Sequence, residues 1–157
     1  MELIGKTTIN PIIFYTGKIS GYITWIIMFL MLFEINLIER KLFFYNNYAS
    51  IILLFVGLLF TVISLINLGK SIRLGLPTDD TKLKTNGIYK ISRNPMYVGF
   101  DLITIASIVF TLNWLVIILG IYSLITYHLI IKGEEAFMLK RFSDEYEEYQ
   151  LKVRRYL

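Results

Sequence analysis

The chain has 157 residues, 55% of them hydrophobic, and a mean hydropathy of +0.60. This composition excludes an ordinary soluble domain of that length and indicates one all-α domain, residues 1–157, folded as an integral membrane helical bundle. With no cysteine and one histidine, thiolate chemistry is excluded and no metal site is expected. The net charge of +4 is not gathered into a basic patch, so no nucleic-acid partner is expected.

Long apolar segments predict about four membrane-spanning helices, because about 20 helical residues cross a hydrocarbon layer of roughly 30 Å. Residues 1–18 are interpreted as an interfacial lead-in to the first span and not as a cleaved signal peptide. The apolar stretch after residue 95 is too long for one span, and its polar interruption at 111–114 predicts a hairpin turn. The predicted spans are 19–38, 49–68, 96–111 and 115–131.

Two polar segments flank the last two spans. The loop 69–95 and the tail from residue 132 each carry six Lys or Arg residues, whereas the hairpin turn carries none. The positive-inside bias therefore predicts that the loop, the tail and both termini are cytoplasmic. Apolar residues recur at three- and four-residue steps in the tail, which predicts interfacial helices over 132–155 with a break near Phe142.

A helix start is predicted at Asn94-Pro95, where the loop meets the third span. Asn accepts a hydrogen bond from a free N–H of a first turn, and Pro tolerates the first helical position. The free N–H groups and the positive dipole end of such a helix suit a carboxylate or a phosphate. The alternative interpretation is a well-capped helix entry with no ligand.

Functional side chains gather next to the ends of the last two spans. If these spans pack as a hairpin, the loop-side set meets the tail-side set, and a helix N-terminus faces a carboxylate across a cavity suited to a zwitterion. The alternatives are solvated interfacial glutamates, a histidine that only joins two helices, and ordinary interfacial tyrosines. The candidates are Tyr89, Arg93, Asn94, Tyr97 and Asp101 on the loop side and Tyr127, His128, Lys132, Glu134 and Glu135 on the tail side.

Four pieces of the sequence resemble the membrane methyltransferases related to isoprenylcysteine carboxyl methyltransferase and phospholipid N-methyltransferase. They are the Leu-Lys-Thr-Asn-Gly-Ile-Tyr stretch 83–89, the Arg-Asn-Pro-Met-Tyr-Val-Gly stretch 93–99, the pair Glu134-Glu135, and the stretch 142–149 with its two tyrosines. Any one piece is weakly specific, but their order and spacing together are specific. The likeness covers about residues 69–153.

The resemblance implies S-adenosylmethionine as cofactor, held by the loop and the last two helices. It implies that Glu134 is the acid near the polar end of the cofactor. The charges of the residues add the hypothesis that the methionine carboxylate lies near the helix start at Asn94 and the ammonium or the ribose hydroxyls near Glu134. The cofactor-binding residues that it implies are Thr81, Lys82, Leu83, Lys84, Tyr89, Asn94, Pro95, Met96, Tyr97 and Glu134.

The implied reaction is methylation of an oxygen or nitrogen of a lipid-like or isoprenoid-linked acceptor that enters from the bilayer. An amine acceptor needs a proton acceptor, for which Asp101, His128 and Glu135 are the candidates. The prenylcysteine enzymes carry an arginine where this chain has Ile130, which leaves Arg93, Lys132 or Lys152 as replacements. The alternatives are a non-catalytic membrane scaffold or ligand-binding protein, and a transporter or reductase-like relative that kept the fold and lost methyl transfer.

Overall fold

The computed structural model describes residues 7–41, 45–69 and 83–157. Within these ranges the chain is helical and contains no strand, as predicted. Its helices are α1, Pro11–Leu32, α2, Asn46–Leu68, α3, Pro95–Thr111, and α4, Trp114–Lys152, and one turn of 3-10 helix, Gly87–Lys90, comes shortly before α3.

Helix α1 begins well before the predicted start of the first span, residue 19, and it ends before the predicted end of that span, residue 38. Its start is set by Asn10-Pro11, where the Asn10 side chain accepts a hydrogen bond from the Ile12 N–H at 2.9 Å. Its end is set by Phe33 and Glu34, because Glu34 adopts a positive φ of 66° that a helix cannot continue. Part of the predicted lead-in is therefore helix, and residues 33–38 of the predicted span are not.

The hairpin turn between α3 and α4 lies at Leu112 and Asn113, where the sequence predicts it. Leu112 ends α3 in the left-handed conformation, with φ 45°, and Asn113 caps α4 by accepting a hydrogen bond from the Leu115 N–H at 3.0 Å. Helix α4 then runs past the predicted end of its apolar part and bends at Ser143, whose φ of 41° interrupts the helix. The bend matches the break predicted near Phe142.

The helices pack in pairs, α2 on α3 and α1 on α4, with α3 also touching α1 and α4. Buried hydroxyl residues lie between them, whereas many of the large apolar side chains point outward, Phe55 and Ile66 of α2 being 62% and 72% exposed. This inverted arrangement is typical of helices that face lipid. Three helices, α1, α2 and α4, are long and apolar enough to cross a membrane, and α3 is a shorter apolar helix of 17 residues.

The bundle has two distinct ends. At one end the Asn113 side chain donates to the Glu39 carbonyl at 2.9 Å, so the connection after α1 lies beside the hairpin turn. At the other, Thr8 packs against Gly133 of α4, and Gly87 lies against Asn67 at the end of α2. We call the second the polar end, because it also holds the segment before α3 and the charged second half of α4.

Candidate functional site

Asn94 starts helix α3, but its side chain does not cap it. The predicted hydrogen bond from a first-turn N–H to Asn94 is absent from the described residues. The Asn94 amide instead donates to Glu135 Oε1 at 3.0 Å and to the Arg155 carbonyl at 3.2 Å. The prediction of a side-chain cap is therefore wrong, because a buried carboxylate attracts the Asn94 amide more strongly than a helix N–H attracts its oxygen. The first turn is left without a side-chain acceptor.

Glu135 lies at the centre of a buried charge network. Its side chain is 5% exposed and pairs with Arg93 at 3.0 Å and with Arg155 at 2.8 Å. Burial alone raises the pKa of Glu135, but the hydrogen bonds from Arg93 and Arg155 outweigh it and hold this pKa below its usual value. Glu135 is therefore ionised and fully engaged, which suits it to holding elements together.

The network fastens the C-terminal segment to the start of α3. The Arg93 backbone N–H donates to the Arg154 carbonyl at 3.0 Å, and its guanidinium donates to the Val153 carbonyl at 2.5 Å. In addition, the Tyr149 hydroxyl donates to the Tyr89 carbonyl at 2.5 Å, which ties the last helical turns to the 3-10 turn. The residues after the kink in α4 thus close over the polar end.

Glu134, the neighbour of Glu135, has a different environment. It accepts a hydrogen bond from the Tyr97 hydroxyl at 2.7 Å, and it takes part in none of the ion pairs among the described residues. Burial raises its pKa to about 7, against the opposing effects of the Tyr97 hydrogen bond and the charge of Lys18. Glu134 is thus a carboxylate whose charge is not neutralised by contact.

The predicted loop-side and tail-side sets do meet, since Asn94 reaches Glu135 and Tyr97 reaches Glu134. A cluster of aromatic and aliphatic side chains, Phe14, Tyr97, Tyr127, Ile130 and Ile131, lies directly beneath them. Tyr97 belongs to this cluster and connects it to Glu134 through its hydroxyl.

Asp101 and His128 lie on the helix faces below Asn94 and Glu135. A carboxylate oxygen of Asp101 is buried without a hydrogen-bond partner among the described residues. This is expected for an acid that does not stabilise the fold through hydrogen bonds. His128 lies 2.6 Å from the Tyr156 hydroxyl and its ring stacks on that of Tyr156. His128 is therefore tied to the C-terminal segment.

The remaining predicted residues take part in fewer of the contacts that define the site. Thr81 and Lys82 lie outside the described residues, Leu83 is half-buried, and Lys84 is exposed. Tyr89 and Pro95 are buried, and Met96 is half-buried. Of the cations considered as replacements for the family arginine, Arg93 is paired with Glu135, Lys132 is exposed, and Lys152 is paired with exposed Glu148.

Sequence reasoning missed three residues near the site: Lys18, Arg155 and Tyr156. Lys18 was missed because the first span was predicted to begin at residue 19, although the same Asn-Pro signal that marks α3 also stands at residues 10–11. Arg155 and Tyr156 lie at the C-terminal edge of the chain, where local pattern carries no signal for a contact with α3 or α4. Their roles depend on the tail folding back.

The chain is an all-α membrane protein, with apolar helices, buried hydroxyl groups between them and a charged site at one end of the bundle. Residues 45–145 match the phospholipid methyltransferase family, and the chain belongs to that family. The matched region contains Asn94, Tyr97, Glu134 and Glu135, whereas Lys18 and Arg155 lie outside it.

The chain is also similar to probable protein-S-isoprenylcysteine O-methyltransferases of two rice subspecies, Oryza sativa subsp. indica and subsp. japonica. Each is 29% identical over 122 residues, which cover 73% of this chain. The aligned part spans 62% of the length of those rice proteins.

Proposed function

We propose that the chain is an S-adenosylmethionine-dependent methyltransferase that acts on a lipid-like or isoprenoid-linked acceptor at the cytoplasmic face of a membrane. The observation that carries the proposal is the Glu134 carboxylate, bonded by Tyr97 at 2.7 Å beside the uncapped first turn of α3. The family membership and the similarity to probable isoprenylcysteine methyltransferases support the reaction class.

The donor set at the polar end fits the charges of the cofactor's amino-acid part. Glu134 offers an unpaired negative charge to an ammonium, and the N–H groups of the α3 first turn offer partial positive charge to a carboxylate. The bound cofactor supplies a methyl group already activated by its sulfonium. The protein then has to align the acceptor and exclude water, which the aromatic cluster beneath Glu134 favours.

Glu134 and Glu135 have different roles in this proposal. Glu134 binds the cofactor, and Glu135 with Arg93 positions the start of α3 and the tail. For an amine acceptor, Asp101 and His128 remain the candidate proton acceptors, because Glu135 is held ionised by two arginines and is a weak base. A carboxylate acceptor needs no base.

The cofactor site is tested by calorimetric titration of the detergent-purified chain with S-adenosylhomocysteine. Because ionised Glu134 attracts the ligand ammonium and its pKa is about 7, affinity should fall about tenfold from pH 8 to pH 6 as Glu134 becomes protonated. Glu134→Gln should bind about tenfold more weakly at pH 8 and show no such pH dependence.

Glu148→Gln is the matched control, since it removes a carboxylate that is 72% exposed and pairs with Lys152 instead of contacting Tyr97. Equal affinity of Glu134→Gln and the unaltered chain would contradict the site. The activity is tested by methyl-tritium transfer from the labelled cofactor into a total lipid extract, followed by chromatography of the product, and absence of any labelled lipid would favour a non-catalytic scaffold.

A further inference from the structure

Lys18 is a cation placed in an apolar helix. Of the Asp, Glu, Lys and Arg residues of the chain, only Lys18 and Asp101 fall within the apolar segments 11–32, 46–68, 95–111 and 114–131. An ammonium at such a position costs free energy unless it is paired or serves a ligand. The residues around Lys18 therefore show whether it is paired or free to bind a ligand.

The half-buried Lys18 side chain points toward the polar end. Its Nζ lies 4.1 Å from the centroid of the Phe14 ring, four residues nearer the start of α1. Phe14 is 7% exposed and packs in the aromatic cluster beneath Glu134. The side chain of Lys18 thus points along its helix toward the site, as long cationic side chains do when they reach from an apolar segment toward a polar region.

The depth of Lys18 is set by the close approach of α1 and α4. A Cβ added to Gly17 would lie 2.2 Å from Thr126 Oγ1, so the backbone next to Lys18 is pressed against α4 at Thr126. Thr126 lies two helical turns before Glu134, which is about 12 Å along the axis. The Lys18 side chain therefore starts at the level of Thr126 and reaches toward the end of α4 that carries Glu134.

Lys18 also lacks an ion-pair partner among the described residues, where the ion-paired carboxylates are Glu135 and Glu148. It lies close enough to Glu134 for its charge to act on that carboxylate, without being in contact with it. A cation–π contact with Phe14 orients the ammonium and leaves its hydrogen-bonding capacity for another group.

Building on the proposed function, we propose that Lys18 is a specificity-determining residue that binds the anionic group of the lipid-like acceptor, a carboxylate or a phosphate, below Glu134. The apolar part of such an acceptor then lies along the lipid-facing bundle, and its charged head reaches the cation at the depth of the aromatic cluster. A neutral head would leave the ammonium uncompensated, so the site selects anionic acceptors.

The test measures binding, so it does not depend on turnover. The full chain in detergent, saturated with S-adenosylhomocysteine, is titrated with lipids that share one farnesyl chain and carry a carboxylate, a phosphate or a neutral amide head. The unaltered chain should bind one of the anionic lipids at least about tenfold more tightly than the amide lipid. Which anion shows this preference distinguishes a carboxylate acceptor from a phosphate-bearing one.

Lys18→Gln should abolish the preference, whereas Lys18→Arg should retain most of it. Lys140→Gln removes the same charge from the exposed surface of α4 and should leave the preference unchanged. The proposal is overturned if the unaltered chain shows no preference for either anion, or if Lys18→Gln keeps it. Failure of the proposed function looks different, because the unaltered chain would then not bind S-adenosylhomocysteine at all.

Discussion

The same dipeptide, Asn-Pro, opens α1 and α3, and its asparagine plays a different part in each helix. Asn10 caps its own helix through the Ile12 N–H, whereas Asn94 gives its amide to Glu135 and leaves its helix uncapped. The difference comes from the neighbour, because the buried Glu135 carboxylate lies beside Asn94 and accepts a hydrogen bond from its amide. The first turn of α3 is thereby left without a side-chain cap, which is the feature that the proposed cofactor site uses.

At this same scale, Glu135 is the residue whose loss should damage the fold most. Glu135→Gln leaves Arg93, whose side chain is 9% exposed, without a counter-charge, and should lower the free energy of unfolding by about 3 kcal/mol. The measurement is unfolding of the purified chain in mixed micelles. Glu148→Gln, which breaks an ion pair that is 72% exposed on both sides, should change little. Similar losses in the two variants would contradict a structural role for the Glu135 network.

At the scale of elements, the two helix pairs are held at short distance by glycine. Gly57 of α2 and Gly99 of α3 face one another, and a Cβ on Gly99 would lie 2.7 Å from the Gly57 carbonyl oxygen. This contact fixes the height of α3 against α2, and with it the position of Asn94 and Tyr97 at the polar end. Small residues permit such backbone contact between membrane helices.

Two glycine-to-alanine substitutions, one in α3 and one in α4, should therefore change the free energy of unfolding by different amounts. Gly99→Ala meets backbone atoms of α2 that cannot move aside, and should destabilise the chain by about 1–3 kcal/mol. Gly120→Ala meets side-chain atoms only, Ile108 Cδ1 at 2.6 Å and Cγ1 at 2.9 Å, which can shift, and it gains helix propensity, so it should destabilise the chain less than Gly99→Ala does. Unfolding in mixed micelles compares the two directly. A neutral Gly99→Ala would mean that α2 and α3 do not approach this closely.

At the scale of the whole molecule, polar groups far apart in sequence gather at one end of the bundle. The start of α1, the segment before α3 and the C-terminal segment share the polar end, while the connection after α1 lies beside the hairpin turn. Helix direction alone produces this arrangement, because each of the four helices reverses the course of the chain. At this end the Tyr97 hydroxyl contacts Glu134, and the charge of Lys18 acts on the same carboxylate.

This arrangement predicts the accessibility of single cysteines, which can be introduced freely because the chain contains none. In sealed vesicles, a membrane-impermeant thiol reagent should reach Asn86→Cys and Leu157→Cys from the same side and Asn36→Cys from the opposite side, since all three positions are exposed. The positive-inside bias predicts that the first two are cytoplasmic. Labelling of all three from one side would contradict a membrane-crossing bundle.

Hydropathy and local signals were sufficient to predict the all-α fold, the turn at Leu112 and the bend at Ser143. These features depend on residues within a few positions of one another, through apolar length, capping and backbone conformation. The predicted bounds of the first helix differ from those of α1 for a local reason as well, because Asn10-Pro11 is itself a helix start that lies before the predicted span.

The sequence by itself therefore determined the number of long apolar helices and which polar groups lie near their ends, although the bounds of α1 were predicted too late in the chain. Only the tertiary structure decided how those groups are paired. Glu135 pairs with two arginines and Glu134 with Tyr97, whereas Lys18 contacts neither glutamate. The physical reason is that adjacent glutamates point about 100° apart around a helix, so their partners depend on the rotation and depth of the neighbouring helices, which no local pattern specifies.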